Sequence, residues 1–483
     1  MESTVGYEKE LQNYVENTRL AVKLQGFVGE LLFNKGIELV LFRNHLLDIT
    51  TSEIINLHGY AEKVVGKKIF LKTTTALAEE LYKMDLAPAK IDVGLLCHEW
   101  IQEGDNYDSK AAFLTDKLGG MMAEDSHNIE PRDVILYGFG RIGRLAAREL
   151  VTQAGKGQQL RLRAIVTRNA SDDQIIKRAA LLRSDSVHGK FKGTVDVDLE
   201  NKAMIINGQI VKMIEASSPE DINYTQYGID NALVIDNTGV YKDKEALGRH
   251  KQANGVSRVL LTAPGSGIPN IVYGINHYEL DLSSTHIFSA ASCTTNAISP
   301  VLKVLNDKFG IEKGHIETVH AYTNDQNLLD NMHKKPRRGR SAAINMVITS
   351  TGAGKAVTKV IPDLENKLTA NAVRVPTPNG SLAIMNLTLS KDATVEDVNA
   401  TVKDAALNGG LVNQIFYSVD PELVSNDIIG NTCCAVFDAP ATIVSPDGKN
   451  IVVYTWYDNE YGYTKQVIRL AKHISKVRRL QYY

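Results

Sequence analysis

Cys293 sits in a Ser/Thr/Asn-rich segment, Ala291-Ser292-Cys293-Thr294-Thr295-Asn296, that reads as the start of a helix. His320 closes a β-rich stretch 27 residues further on. Small hydroxyl and amide side chains at a helix N-terminus leave backbone N–H groups pointing outward, and that end of a helix favours negative charge. A thiolate or an oxyanion is stabilised there, and an imidazole nearby can pair with it. Those are the needs of a cysteine that attacks a carbonyl. A free cysteine alone is more often an inert core thiol, and a lone histidine is more often structural. The pairing is what predicts chemistry.

Elements must bring these two residues together. From Val134 onward, short β-branched runs alternate with helical stretches: Val134-Ile135-Leu136, Leu162 to Val166, Ala232 to Ile235 and Val259-Leu260-Leu261. That alternation predicts a parallel α/β sheet. Gly138-Phe139-Gly140-Arg141-Ile142-Gly143 follows the first of these strands and opens a helix through Leu145, Ala146 and Leu150. This is a G-x-G-x-x-G word in the context it requires. Its first glycine allows a tight turn, its second lets backbone approach a pyrophosphate, and its third permits close helix–strand packing. Longer β segments follow Cys293, at Val373 to Val375, Leu382 to Leu389 and Ile451 to Tyr457, and predict a mixed sheet in a second domain.

The expected architecture is α/β. An all-α extension over residues 1–128 precedes a Rossmann dinucleotide-binding domain over 129–292. An α+β catalytic domain with a mixed sheet then spans 293–459, and a C-terminal helix over about 460–483 packs back on the Rossmann domain. In the extension, Ile54, Leu57, Ala61 and Val64/Val65 share a helical face behind the possible caps Thr50, Thr51 and Ser52. Thr75 is expected to cap another helix, which Pro88 ends. Val93, Leu95, Leu96, Trp100 and Ile101 mark a third. Cys97-His98 reads as part of a helical core patch. Gly119 to Asp133 reads as a linker.

A chain of 483 residues supports two or three domains. A net charge of −2 favours neither nucleic acid nor an anionic membrane. The polar, acidic start lacks the layout of a secretory signal, and no apolar run is long enough to span a bilayer. Four cysteines in so long a chain make no disulfide framework, and no metal-ligand spacing is present, so no metal is expected. A reducing cytoplasm is the expected compartment. Cys433 and Cys434 read as strand positions on opposite faces.

These words together resemble the glyceraldehyde-3-phosphate dehydrogenase family, from about residue 133 to the C-terminus. Ala291 to Asn296 resembles that family's nucleophile segment, and Thr318 to Gln326 its base segment. The resemblance implies that Cys293 is the nucleophile and His320 the general base, working as thiolate and imidazolium. It implies oxidation of glyceraldehyde 3-phosphate, with inorganic phosphate and NAD or NADP, to 1,3-bisphosphoglycerate. Arg337 is assigned to the C3 phosphate, with Arg338 the neighbouring alternative, and Thr323 fits the same site. Thr351 and Gly352, in Thr349 to Val357, and Arg374, in Val373 to Asn379, are assigned with Ser292 and Thr294 to inorganic phosphate. In Trp456 to Tyr463, Asn459 is assigned to the nicotinamide amide and Tyr463 to the ring's flank. The cofactor set is Gly138, Phe139, Gly140, Arg141, Ile142, Gly143, Arg168, Thr238 and Thr262, together with Asn459 and Tyr463. Asp185-Ser186-Val187-His188-Gly189 reads as structural. A cytoplasmic homotetramer acting in glycolysis or gluconeogenesis is implied.

Four positions depart from the family pattern. Arg168, in Ala164 to Asn169, stands where NAD enzymes place an acid for the ribose 2′-OH; an arginine there can pair with a 2′-phosphate, so NADP is expected to be accepted. Asn331 and Met332 replace a Leu-Pro pair of NAD-specific bacterial relatives. Ala297 replaces the second cysteine many relatives carry, so Cys293 lacks a disulfide partner one helical turn away, and oxidation is expected to give sulfenic acid or a glutathione adduct. The link around Gln153 to Gln159 is longer than usual. The alternative functions are erythrose-4-phosphate dehydrogenase, or a regulatory or binding protein acting through its N-terminal domain.

Overall fold

The computed structural model describes residues 2–123, 129–152 and 155–483. It falls into two compact units. One contains 1–131, 153–159 and 477–483; the other contains 132–152 and 160–476.

The first unit carries the expected helices: α1 (Glu2–Glu30), α2 (Thr51–Tyr60), α3 (Leu71–Lys83), α4 (Val93–Glu103) and α5 (Lys110–Lys117). It is not purely helical. Strands β1 (Glu38–Leu41), β2 (Asn44–His45), β3 (Ala89–Asp92) and β22 (Leu480–Tyr482) form a sheet in the order β2-β1-β3-β22. The strands are too short for a two-residue periodicity to stand out, and β22 lies at the far end of the chain. Leu24, Leu31, Leu39, Leu77, Leu81, Ile91, Leu96 and Phe113 build the core, with Cys97 buried among them. Thr50 caps α2 as expected, in a reciprocal capping box with Glu53. Thr75 does not cap: α3 starts at Leu71, and the buried Thr75 hydroxyl donates back to the Leu71 carbonyl at 2.8 Å. The long link at 155–159 belongs to this unit. A Cβ on Gly36 would fall 2.6 Å from the Lys156 carbonyl oxygen, and Gly36 has φ +70°, so that position requires glycine. Part of the expected linker, 124–128, lies outside the described residues; its last two positions begin the next strand.

In the second unit, β4 (Arg132–Tyr137), β5 (Leu160–Thr167), β8 (Val195–Asp198), β9 (Ala203–Ile206), β10 (Gln209–Glu215), β11 (Ala232–Asp236), β12 (Val256–Leu261) and β13 (Ile287–Ser289) form one sheet. Its order is β13-β12-β11-β4-β5-β10-β9-β8, and the run from β13 to β10 is parallel throughout. Helices α6 (Arg141–Leu150), α7 (Asp172–Arg183) and α8 (Lys244–Gly248) lie in its connections, and β6 (Ser184–Asp185) pairs with β7 (Gly189–Lys190). This is the expected Rossmann-type sheet.

The second sheet of the unit is mixed, with order β15-β16-β14-β17-β21-β19-β18. Its members are β14 (Ile311–Ala321), β15 (Val347–Thr349), β16 (Leu368–Val375), β17 (Ser381–Leu389), β18 (Ile415–Ser418), β19 (Ala435–Asp438) and β21 (Asn450–Tyr457), with β20 (Ile443–Val444) beside β21. Helix α9 (Cys293–Phe309) packs Ile298, Val301, Leu302 and Leu305 into one core with Ala383, Met385 and Leu387 of β17 and Ile451 and Val453 of β21. Helices α10 (Ala353–Thr358) and α11 (Val395–Leu407) add to that core. Cys433 and Cys434 are both buried in a bend just before β19, rather than alternating on a strand. The C-terminal helix is shorter than expected: α12 spans Tyr461–Ile474 and packs against α6, with Lys465 bonded to Glu149 at 2.7 Å. The residues after 476 join the first unit instead.

Candidate active site

Strand periodicity builds the site. On β14 the buried face carries Ile316, Thr318 and His320, in steps of two. On β17 it carries Ser381, Ala383, Met385 and Leu387, and on β21 Ile451, Val453, Thr455 and Tyr457. At one end of this face the apolar residues give way to His320, Ser381 and Tyr457. The N-terminus of α9 supplies Cys293 there. Ser292 is its N-cap and accepts from the Thr295 N–H at 3.0 Å. Asn296 Nδ2 donates to the carbonyls of Ala290 and Ser292 at 2.8 and 2.9 Å. Ala291 is held at φ +55°, a conformation unfavourable for a residue with a Cβ, and such strain clusters at functional sites. Its carbonyl accepts from the Tyr463 hydroxyl at 2.8 Å.

Cys293 Sγ lies 3.6 Å from His320 Nε2. His320 Nδ1 is 2.7 Å from the Ala321 carbonyl and 2.9 Å from an Arg374 nitrogen, which itself donates to that carbonyl at 2.8 Å. Nδ1 cannot donate to the carbonyl and accept from arginine at once. One carbonyl receiving both N–H groups satisfies the geometry: Nδ1 carries the proton, and Nε2 presents its lone pair to sulfur. Burial and the Arg374 charge push the imidazole down to about 3. Burial raises the Cys293 thiol, against lowering by Arg374 and by hydrogen bonds from Thr294. Both shifts disfavour the charged forms, and so weigh against the ion pair that the resemblance implies. His320 is buried and Cys293 half-buried, and the Arg374 charge disfavours a second positive charge on the ring.

Arg374 is positioned by register, as the Cα partner of His320 across the parallel pair β14–β16. Arg338 also reaches inward: its Nε donates to Thr349 Oγ1 at 3.0 Å, and its guanidinium pairs with Asp325. Arg337 is exposed, so the loop arginine placed toward the site is Arg338. Thr294 Oγ1 and the Tyr457 hydroxyl share a hydrogen bond of 3.0 Å. Thr323 and Thr351 are half-buried and Gly352 is exposed; the Thr351 hydroxyl accepts from the Ala353 N–H at 3.2 Å. Ser381 Oγ accepts from the Ala321 N–H at 3.1 Å and donates to Asn459 Oδ1 at 2.8 Å. Sequence reading gave no role to Asp325, Ser381 or Tyr457. The two-residue periodicity leading to Ser381 and Tyr457 was the signal that marked them.

The glycine turn fits a dinucleotide. Gly138 has φ +93°, and its N–H donates to the Val166 carbonyl at 2.9 Å. A Cβ on Gly143 would meet the Gly138 carbonyl oxygen at 2.6 Å, whereas a Cβ on Gly140 would meet no atom within 4 Å. The first and third glycines are required by packing, and the second leaves an open approach to the N-terminus of α6. Phe139 is buried, and Ile142 is half-buried in the first turn of α6. Arg141 does not face outward: it is held by Asp185 at 3.1 Å and by Glu460, which gives Asp185 the structural part expected of its segment. Thr238 and Thr262 close the ends of β11 and β12 through Asp236: the Thr238 hydroxyl donates to its carboxylate at 2.7 Å and the Thr262 hydroxyl to its carbonyl at 3.1 Å. Arg168 is exposed, one residue past the end of β5, the strand next to β4 and its glycine turn. Among the described residues, no cluster of His, Cys, Asp and Glu could hold a metal ion, and no helix is long and apolar enough to cross a membrane.

Comparison with known proteins agrees with this geometry. Residues 132–244 match the family profile described as "Glyceraldehyde 3-phosphate dehydrogenase, NAD binding domain". Residues 292–459 match "Glyceraldehyde 3-phosphate dehydrogenase, C-terminal domain". The chain is 45% identical over 454 residues to a "Glyceraldehyde-3-phosphate dehydrogenase-like protein" of Pseudomonas aeruginosa, covering 93% of this chain and 98% of that one. It is 41% identical over 349 residues to a glyceraldehyde-3-phosphate dehydrogenase of Clostridium pasteurianum, covering 71% of this chain and 98% of the relative. For glyceraldehyde-3-phosphate dehydrogenase 1 of Bacillus subtilis the identity is 40% over 342 residues, with 71% and 97% covered.

Proposed function

Because the chain belongs to the glyceraldehyde-3-phosphate dehydrogenase family, we propose that it oxidises glyceraldehyde 3-phosphate, with inorganic phosphate, to 1,3-bisphosphoglycerate through a thioester on Cys293. The 3.6 Å approach of Cys293 Sγ to His320 Nε2 carries this reading. As sulfur attacks the aldehyde carbon, its proton passes to Nε2, which is free because Nδ1 donates to the Ala321 carbonyl. The Cys293 N–H, which has no i−4 carbonyl at the first position of α9, faces the developing oxyanion together with the protonated imidazole. Nicotinamide, when bound, supplies the hydride acceptor. His320 passes that proton to the oxyanion, giving the hemithioacetal hydroxyl, and takes it back as the hydride leaves and the thioester forms. Phosphate oxygen then attacks the thioester carbon, the C–S bond breaks, and His320 returns a proton to sulfur.

Arg374 and Arg338 are the guanidinium groups that serve the two anions, with Ser292, Thr294, Thr323, Thr351 and Gly352 as hydroxyl and N–H donors; Arg337 is replaced in this role by Arg338. Asn459, its oxygen taken by Ser381, keeps its amide nitrogen for the nicotinamide carboxamide, and Tyr463 braces the turn before Cys293. Arg168 at the end of β5 supports acceptance of NADP. Exposed Leu328, Leu329, Met332, Ile344 and Met346 flanking the basic loop support a homotetramer. Buried thiols at Cys97 and Cys434 suit the cytoplasm.

Phosphate-dependent reduction of NAD or NADP with glyceraldehyde 3-phosphate, abolished in Cys293→Ser, tests the proposal. Turnover with erythrose 4-phosphate alone would reassign the substrate, and no turnover by folded protein would leave a binding role.

A further inference from the structure

The structure assigns the first half of α1 as a self-association surface: we propose that it pairs, antiparallel, with the same segment of a second copy of this chain. At about 1.5 Å per residue the 29 residues of α1 run about 43 Å, whereas the 13 of α3, one of the helices it packs on, run about 20 Å. The second half of α1 buries Ala21, Leu24 and Val28 in the first unit's core. The same face continues in the first half. Tyr7, Leu11, Tyr14, Thr18, Ala21 and Val28 fall in steps of three, four or seven, the seam of a two-helix coiled coil.

In this first half the seam is uncovered. Tyr7 is 66%, Leu11 45%, Tyr14 52% and Val15 42% exposed, and the Tyr14 hydroxyl lies 3.4 Å from that of Ser52. A helix exposed all round over this length is marginal alone. Two tyrosines, a leucine and a valine on one stripe are apolar surface that a partner helix removes from water.

Charge selects the partner. Glu8, Glu10 and Glu16 outnumber Lys9 early in the segment and Arg19 follows, while Lys23 is already paired with Glu79 at 2.7 Å. An antiparallel copy that sets Leu11 against Tyr14 of the second copy, and Tyr7 against its Thr18, brings Glu8 beside Arg19 of the second copy. The two-fold axis repeats each contact. Parallel pairing would instead bring the Glu8 and Glu10 ends of the two copies together.

The test uses the full chain carrying Cys293→Ser. Leu11→Cys protein is mixed with Tyr14→Cys protein at micromolar concentration. Copper-phenanthroline with oxygen joins two thiols as a disulfide, losing two protons and two electrons to oxygen. The expected result is a disulfide between position 11 of one chain and position 14 of another, formed at least tenfold faster than between Lys9→Cys and Glu16→Cys chains, whose substitutions lie on the opposite face. A rate no faster than that control overturns the proposal, and so does a preference for 11–11 and 14–14 products. In a second arm, Leu11→Glu/Tyr14→Glu is expected to remove the pairing, and the same double substitution with Cys293 intact is expected to leave dehydrogenase turnover unchanged. Pairing in that arm is read by the disulfide between Thr18→Cys and Tyr7→Cys chains. An undiminished rate there overturns the proposal even where a thiol at position 11 or 14 perturbs the helix.

Discussion

His320 and Arg374 face each other across the parallel strands β14 and β16, and both donate to one oxygen, the Ala321 carbonyl, at 2.7 and 2.8 Å. The shared carbonyl fixes the imidazole tautomer, and burial, followed by the arginine charge, disfavours protonation of the ring.

Alkylation reads this directly. With the Cys293 thiol raised above its usual value, the rate of iodoacetamide labelling in the absence of substrate is expected to keep rising as pH increases through 9. A plateau established near pH 6 would show a thiolate–imidazolium pair. Arg374→Gln is expected to slow labelling at each pH below 9, since it removes the cation that lowers the thiol.

Acid stability follows from His320. Its native value is about 3, whereas the unfolded side chain titrates near 6.5. Between these values the unfolded chain binds the proton and the native chain does not, so stability falls as pH falls from 6.5 toward 3. His320→Gln is expected to flatten the fall of Tm over that window. An identical slope in wild type and variant would place the acid-sensitive group elsewhere.

Ser381→Ala removes one hydroxyl that serves two partners. The Ala321 N–H loses its acceptor and Asn459 Oδ1 its donor, at a cost of about 1–3 kcal/mol for buried groups left unpaired. The expected kinetic signature is a KM for the dinucleotide raised about tenfold, equivalent to about 1.4 kcal/mol, with iodoacetamide labelling of Cys293 unchanged. Loss of labelling alongside activity would mean general unfolding of the site.

Arg168→Asp is expected to cut kcat/KM with NADP by about ten- to a hundredfold and to raise it with NAD, by exchanging a 2′-phosphate partner for a ribose acceptor and a repulsive charge. Equal effects on both dinucleotides would place Arg168 in solvent.

Much of this architecture was legible in local signals. The glycine turn, the α/β alternation and the Cys293 helix start are short-range features, and their physical needs are met within a few residues. The tail was not legible. Leu480 to Tyr482 reads as the end of a helix, yet it pairs in parallel with Ala89 to Ile91. Glu38, held well below its usual value by Lys90, His45 and Arg479, helps to bind that tail. Those partners lie up to 441 positions apart, beyond any periodicity. Arg337 and Arg338 are adjacent in a short loop turn, and which of them points inward is decided by Thr349 and Asp325, which composition does not reveal.

Intact mass after rapid mixing tests most directly whether a covalent thioester forms on Cys293. Enzyme mixed with glyceraldehyde 3-phosphate and dinucleotide, without phosphate, is expected to carry one phosphoglyceroyl group per chain on Cys293, with one equivalent of reduced dinucleotide. Adding phosphate should remove the group and start steady turnover. Reduction without any adduct, or an adduct that persists in Cys293→Ser, would contradict the account.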